Sequence, residues 1–229
     1  MVGQLKDNYR NIRNVMSITL AELASDQRSK YPDIGTDKEL HGYFSGFYED
    51  HLTPYRDKPV TLLEIGSAWG GGLVCWDNWF SQAMIHGVEL RDHTHNGKLL
   101  RQQNDPNFIW YDQEFIPEVF QSSKIKLHAG QDAYTSEFAN SLPKFDIIID
   151  DGWHTVDQWE TLYQLYLPKI LPGGVLIIED ISDTPLHMTP GWTIQNNLIE
   201  PIKHYRHQLF DFRAPTNKHD SMILAVWVD

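Results

Sequence analysis

Two apolar runs that each end in a pair of acids constrain this chain more than anything else in it. FDIIIDD (145–151) and VLIIED (175–180) are continuous hydrophobic runs of the kind that a strand buried on both faces requires. Between them lie a helical pattern (DQWETLYQLYLPKI) and a Pro-Gly-Gly turn, so the stretch reads as strand, helix, turn, strand. In an open α/β sheet the C-terminal strand ends carry the chemistry. The pairs Asp150–Asp151 and Glu179–Asp180, with His154 three residues beyond Asp151, therefore converge on one sheet edge. Four carboxylates and an imidazole suit a hard, oxygen-seeking divalent cation beside a general base.

The rest of the chain builds outward from this stretch. VTLLEIG (60–66) is a buried strand that runs into a glycine-rich turn, SAWGGGL, and a helix reaching about Phe80. AMIHGVEL (83–90) is the next strand and carries Glu89 near its end, and IKLHAG (125–130) is the third, followed by Gln131 and Asp132. Strand, glycine turn, helix, strand and acid outline a nucleotide-binding half. A helix over about 133–142 precedes the central stretch, and a short one spans 194–199. YRHQLFDF and SMILAVWV close the sheet as an antiparallel pair. Ahead of the first strand, apolar residues at helical spacing predict a helix over 5–29 and another over 39–51, the second with Leu40, Tyr43, Phe44, Phe47 and Tyr48 on one side. The division expected is a helical cap over 1–58 and a Rossmann-like unit over 59–229, forming one compact body. The cap helices are the expected lid or homo-oligomer contact. Residues 91–123 are long for a single crossover and read as a binding loop or lid.

Charge and composition remove several classes. With 19 basic residues against 31 acidic, the net charge of −12 opposes binding to nucleic acid through its phosphates. One cysteine, Cys75, permits no disulfide within the chain and reads as a small buried apolar residue. No apolar run is long enough to span a bilayer, and the polar N-terminal stretch lacks the apolar core of a signal peptide. A cytoplasmic protein acting on a small molecule, with neither nucleic acid nor membrane as partner, is the expectation.

LLEIGSAWGGGL followed by GVEL resembles the cofactor site of class I S-adenosylmethionine (SAM) methyltransferases. The G-x-G-x-x-G of NAD-type dehydrogenases is absent. Taken with GTDKELHGYF, YEDHL, DIIIDDGWH and PGGVLIIEDI, the chain over about 33–182 resembles the metal-dependent sugar O-methyltransferases of the macrocin and mycinamicin type, and their relatives labelled cephalosporin hydroxylases. Asp151 and Glu179 stand 28 residues apart, a spacing that matches that group. The resemblance implies a class I fold: a mostly parallel seven-stranded sheet with an antiparallel closing strand. It implies that Glu64, Gly66, Ser67, Ala68 and Gly70 wrap the methionine part of SAM, that Glu89 takes the ribose hydroxyls, and that Gln131 or Asp132 lies at the adenine. Asp150 is then expected to face the cofactor amino group, with His41 and Tyr43 closing over the cofactor. Asp151, Glu179 and Asp180 are the implied ligands of Mg2+ (or Mn2+), and His154 the implied base for a hydroxyl of a sugar or other small-molecule diol. Two alternatives stay open: a catechol-like or polyketide hydroxyl as acceptor, or a SAM-binding protein without methyl transfer. An iron-dependent hydroxylase would need two histidines and one carboxylate, where the matched positions offer three acids. Three departures stand out: Gly130-Gln131-Asp132 in place of Gly-Asp-Gln, Trp153 in place of a usual Ser, and Gly72 in place of a frequent Ser.

Overall fold

The computed structural model describes residues 18–91, 115–182 and 193–229. Seven strands form one sheet in the order β3-β2-β1-β4-β5-β7-β6. They are β1 (Thr61–Ile65), β2 (Met84–Glu89), β3 (Ile125–Ala129), β4 (Phe145–Asp150), β5 (Ile170–Ile178), β6 (Arg206–Asp211) and β7 (Met222–Val228). Strands β1 to β5 run parallel to one another, and β7 pairs antiparallel with both β5 and β6. The chain order reverses between β1 and β4, the switch point where an open sheet leaves a crevice outside its strand ends.

Both faces of the sheet are covered, which explains the unbroken apolar runs. On one side α1 (Leu20–Lys30) and α3 (Gly71–Trp79) pack with Leu62, Ile85, Ile147 and Ile177. On the other, α5 (Ser136–Ser141) and α6 (Val156–Tyr166) pack with Leu63, Ile148, Leu176 and Leu224. Alternate residues of each strand thus serve opposite layers.

The first predicted helix survives as α1, which Thr19 opens with a reciprocal capping box to Glu22; its expected residues 5–17 lie outside the described set. The second differs. Residues 38–42 are turns, a π-helical turn spans Phe44–Tyr48, and α2 covers only Glu49–Leu52. Leu40 is exposed, whereas Phe44, Phe47 and Tyr48 are fully buried in the same cluster as the sheet residues. The aromatic stripe is therefore core. Residues 92–114 of the 91–123 segment, expected to form a binding loop or lid, lie outside the described residues; α4 (Glu118–Gln121) lies near the end of that segment. The Pro-Gly-Gly segment is not a turn ahead of β5 but part of it, with a register shift opposite Phe145–Ile147. Strand β6 leads into β7 through α7 (Arg213–Thr216). No described helix is long and apolar enough to cross a membrane. Cys75 is buried on α3, and burial pushes its thiol pKa up, as suits a packing residue.

Candidate active site at the carboxyl ends of β1, β4 and β5

Parallel registry aligns three strand ends. Ile65 pairs with Asp150, and Asp150 with Ile178. The pairing continues past the strands, since Asp151 N–H donates to the Ile65 carbonyl (2.9 Å) and Glu179 N–H to the Asp150 carbonyl (3.0 Å). Strand alternation then sends neighbouring acids to different places. Asp150, with no exposed surface, turns toward the α5–α6 layer, where its Oδ1 accepts from the Tyr134 hydroxyl (2.5 Å). Asp151 turns to the crevice.

The crevice has a cleft of about 490 Å³ lined by Gly66, Ala68, Glu89, Gln131, Asp132 and Asp151, among others. Gly66 has φ +81°, and a Cβ there would run into the Asp151 carbonyl, so only glycine lets the end of β1 lie against the end of β4. Glu89 closes β2; its Oε1 accepts from Arg91 N–H (3.0 Å), and burial raises its pKa. Asp132 Oδ1 accepts from Tyr134 N–H (3.0 Å). The exposed Trp153 (44 %) stands at the mouth of the same cleft. Asp150 Oδ2 is buried with no hydrogen-bond partner among the described residues.

On the other side of Asp151 the acids are organised around charge. Lys38, only 3 % exposed, reaches from the loop after α1 and places its ammonium 2.6 Å from Asp151 Oδ2, 2.6 Å from Glu179 Oε2 and 3.2 Å from Glu64 Oε1. Tyr48 donates to the other Glu179 oxygen. Asp180 Oδ1 accepts from the Tyr43 hydroxyl (2.8 Å) and lies 3.5 Å from His41 Nδ1. Asp151 Oδ1 and Asp180 Oδ2 are left facing His154 Nε2, at 3.7 and 3.8 Å. Ligand atoms of Asp151, His154 and Asp180 all fall within 4.8 Å of one another. Ala68, His154 and Asp180 have positive φ (45°, 53° and 51°), a strained conformation for residues with side chains, and all three border the crevice.

This crowding shows in the ionisation. Burial, then Asp151, pushes Asp180 up to about 7, and burial pushes Asp150 up to about 6. Burial raises Glu179 well above the carboxylate range and raises Glu64 as well, with Lys38 pulling both back. For Lys38 burial acts downward, but Asp151, Glu179 and Glu64 outweigh it and hold the ammonium well above its usual value. One buried cation is shared among more acids than it can neutralise.

Set against the sequence expectations, the structure brings Asp151, Asp180 and His154 together. Glu179 lies beside them but is committed to Lys38 and Tyr48. Glu64 contacts Lys38 and lines an adjoining cleft of about 480 Å³ together with Gly66, Ser67, Ala68 and Asp151, while Glu89, Gln131 and Asp132 line the first cleft. Ser67 is buried and donates to the Glu64 carbonyl (3.1 Å), and Gly70 opens α3 at φ +89°. His41 and Tyr43 sit on the Asp180 side, away from that cleft, because Tyr43 donates to Asp180 and His41 pairs with Ser221 Oγ (3.0 Å). Gly72 has a physical reason: a Cβ there would sit 2.6 Å from Glu64 Oε1. Sequence reasoning missed Lys38, Tyr48 and Tyr134. The signal available was the lysine inside GTDK, read as part of a matching segment and not as a charge needing partners.

The sheet order and crevice define the class I methyltransferase fold, and solved structures agree. MycE methyltransferase from the mycinamycin biosynthetic pathway, in complex with Mg, SAH and mycinamycin VI, superposes with a TM-score of 0.60 at 22% identity, covering 93% of this chain and 55% of that one. The O-methyltransferase TomG of Streptomyces achromogenes, in complex with SAM, gives a TM-score of 0.53 at 14% identity over 99% and 96% of the two chains.

More particularly, the chain resembles sugar O-methyltransferases of macrolide and polyketide biosynthesis. It is 31% identical over 151 residues to mycinamicin VI 2''-O-methyltransferase of Micromonospora griseorubida, covering 62% of this chain and 32% of that protein. It is 29% identical over 154 residues to demethylmacrocin O-methyltransferase of Streptomyces fradiae, covering 62% and 32%. A tetracenomycin rhamnosyl 2'-O-methyltransferase of Streptomyces olivaceus is 28% identical over 161 residues, covering 65% and 35%. The chain thus spans about a third of the length of these curated relatives. No family model matches it.

The residues present fit both groups bound by MycE. Asp151 Oδ1 and Asp180 Oδ2 are the hard oxygen donors that Mg2+ takes, in a pocket short of positive charge. The close backbone at Gly66 and the Glu89 carboxylate, which both line the cleft, fit a cofactor of the SAH type.

Proposed function

We propose that this chain is a SAM-dependent O-methyltransferase that uses a divalent cation, Mg2+ in the first instance, to methylate a hydroxyl of a sugar on a glycosylated small molecule. The observation that carries this reading is the convergence of two open carboxylate oxygens and His154 Nε2 beside the glycine-shaped cleft. When bound, SAM supplies the electrophilic methyl group and the cation a Lewis acid that makes a sugar hydroxyl easier to deprotonate.

The chain's residues do the rest. Gly66 and Ala68 would shape the backbone floor under the cofactor, Glu89 would take the ribose hydroxyls, and Gln131 or Asp132 would meet the adenine, while Asp150, expected from the resemblance to face the cofactor amino group, stands buried behind Tyr134 and outside the cleft lining. Asp151 and Asp180 hold the cation, with Glu179 as the third acid. His154 Nε2 accepts the acceptor's proton; imidazole titrates near neutral pH, and such base catalysis is worth about 10²–10⁴-fold. The test is methyl transfer from SAM to a panel of deglycosylated and glycosylated polyketides, with and without EDTA. Transfer confined to the glycosylated members and abolished by chelation supports the reading. Chelator-insensitive transfer, or SAM binding without transfer to any member, opposes it.

One observation favours a second assignment for His154. Its ring nitrogen lies in the same cluster as the two carboxylate oxygens, all within 4.8 Å of one another. That arrangement suits an imidazole ligand to a softer ion such as Mn2+ or Zn2+ better than Mg2+. Titrating His154→Ala with Mg2+ separates the two: a base leaves cation affinity intact, a ligand does not.

A further inference from the structure

The loop carrying Lys38 lies 113 and 141 positions before Asp151 and Glu179, yet its ammonium is the buried charge that holds these two acids and Glu64 in one cluster. A buried lysine is costly to desolvate unless its partners compensate closely. Here the compensation comes from two of the three acids assigned above to the cation. Asp151 is split, with Oδ2 on Lys38 and Oδ1 open toward His154. Glu179 is held by Lys38 and Tyr48. Glu64 is the third and longest contact, at 3.2 Å, on an acid outside the cation cluster. Glu64 is walled in by Gly72, whose missing side chain leaves room for its carboxylate.

We infer that Lys38 is a resident stand-in for the divalent cation: it keeps the strand-end acids assembled in the metal-free protein and competes with the metal for Asp151 and Glu179, retaining Glu64 as its anchor when the metal takes the other two. The inference rests on the proposed cation site and makes Lys38 a positioning residue. It gives the acidic site at the end of a buried sheet a compensating charge of its own. It also accounts for the third carboxylate on the ammonium: after exchange, Lys38 would otherwise be a buried charge with no partner.

The test measures Mg2+ affinity by titration calorimetry, and melting temperature with and without Mg2+, on full-length wild type, Lys38→Met and Lys38→Arg. Lys38→Met should melt lower than wild type without metal, gain more from saturating Mg2+, and bind Mg2+ about tenfold tighter, since a unit positive charge within a few ångströms is removed. Lys38→Arg, which keeps the charge, should return both metal-free stability and Mg2+ affinity toward wild type. If Lys38→Met binds Mg2+ no tighter than wild type, and its stability loss is the same with and without metal, Lys38 is only a cross-link and the inference fails. If Lys38→Met does not fold without metal but folds when Mg2+ is added, the stand-in role is supported directly. Should it fail to fold in either condition, the decision passes to Glu64→Gln: weaker Mg2+ binding there supports the exchange, and unchanged binding overturns it. Mg2+ binding by neither wild type nor variant, with S-adenosylhomocysteine still bound, overturns the cation site itself and the inference with it.

Discussion

The two halves of the crevice are built by opposite means. At the ends of β1 to β3, space is made by leaving side chains out: Gly66 lets two strand ends touch, and the cleft beside Glu89 opens from there. At the ends of β4 and β5, order is made by pairing charges: every oxygen of Glu179, and one each of Asp151 and Asp180, is held by Lys38, Tyr48 or Tyr43. The contrast teaches that the cofactor half depends on backbone geometry and fails through bulk. The acidic half depends on charge balance and fails through lost partners.

The sharpest way to break that contrast is Gly66→Val. Its branched side chain would meet the Asp151 carbonyl at a positive φ, so folding itself should weaken by about 3 kcal/mol or more, with S-adenosylhomocysteine binding lost. Urea unfolding and calorimetry check both. Next, His154→Ala should lower turnover about 10²–10⁴-fold while leaving cofactor binding unchanged, as single-turnover kinetics would show. Tyr43→Phe should act only on the acidic half. Loss of the donor to Asp180 should weaken Mg2+ binding roughly tenfold, the scale of one hydrogen bond to a charged group, with cofactor affinity unmoved.

The smallest effect concerns His86 and His128 on β2 and β3, away from the acids, whose rings stack with centroids 5.2 Å apart and whose Nδ1 and Nε2 atoms lie 3.1 Å apart. Burial, then His128 and Lys126, lowers His86 to about 4 from 6.5, and burial and Lys126 lower His128. The folded state thus binds fewer protons than the unfolded one below pH 6.5. Stability should be full above that value and fall as the pH drops toward about 4. His86→Leu should flatten that decline in acid melts, leaving the site's behaviour near neutrality alone.

What could be read from the sequence follows the same division. Strand ends, the glycine turn and the acid closing β2 are local features, so β1, β2 and their turn were legible to within a residue or two. The convergence of Asp151, Asp180 and His154 was legible because parallel strands in one sheet end on one edge. The partners of those acids were not. Tyr43 and Tyr48 come from a segment whose regular helical spacing suggested a helix over 39–51, and Lys38 comes from the loop just before it. The structure instead breaks it into turns and a π-helical turn, which re-aims those side chains at β5. A period-based reading places a residue on a face, but it cannot tell that an ammonium will be swallowed by three carboxylates more than twenty residues downstream.

The most direct test of the account is anomalous diffraction from crystals grown with MnCl2 and S-adenosylhomocysteine. One manganese peak within bonding distance of Asp151 and Asp180, adjoining His154 and the cofactor sulfur, is the predicted result. Manganese bound elsewhere, or a cofactor seated away from Gly66 and Glu89, would contradict it.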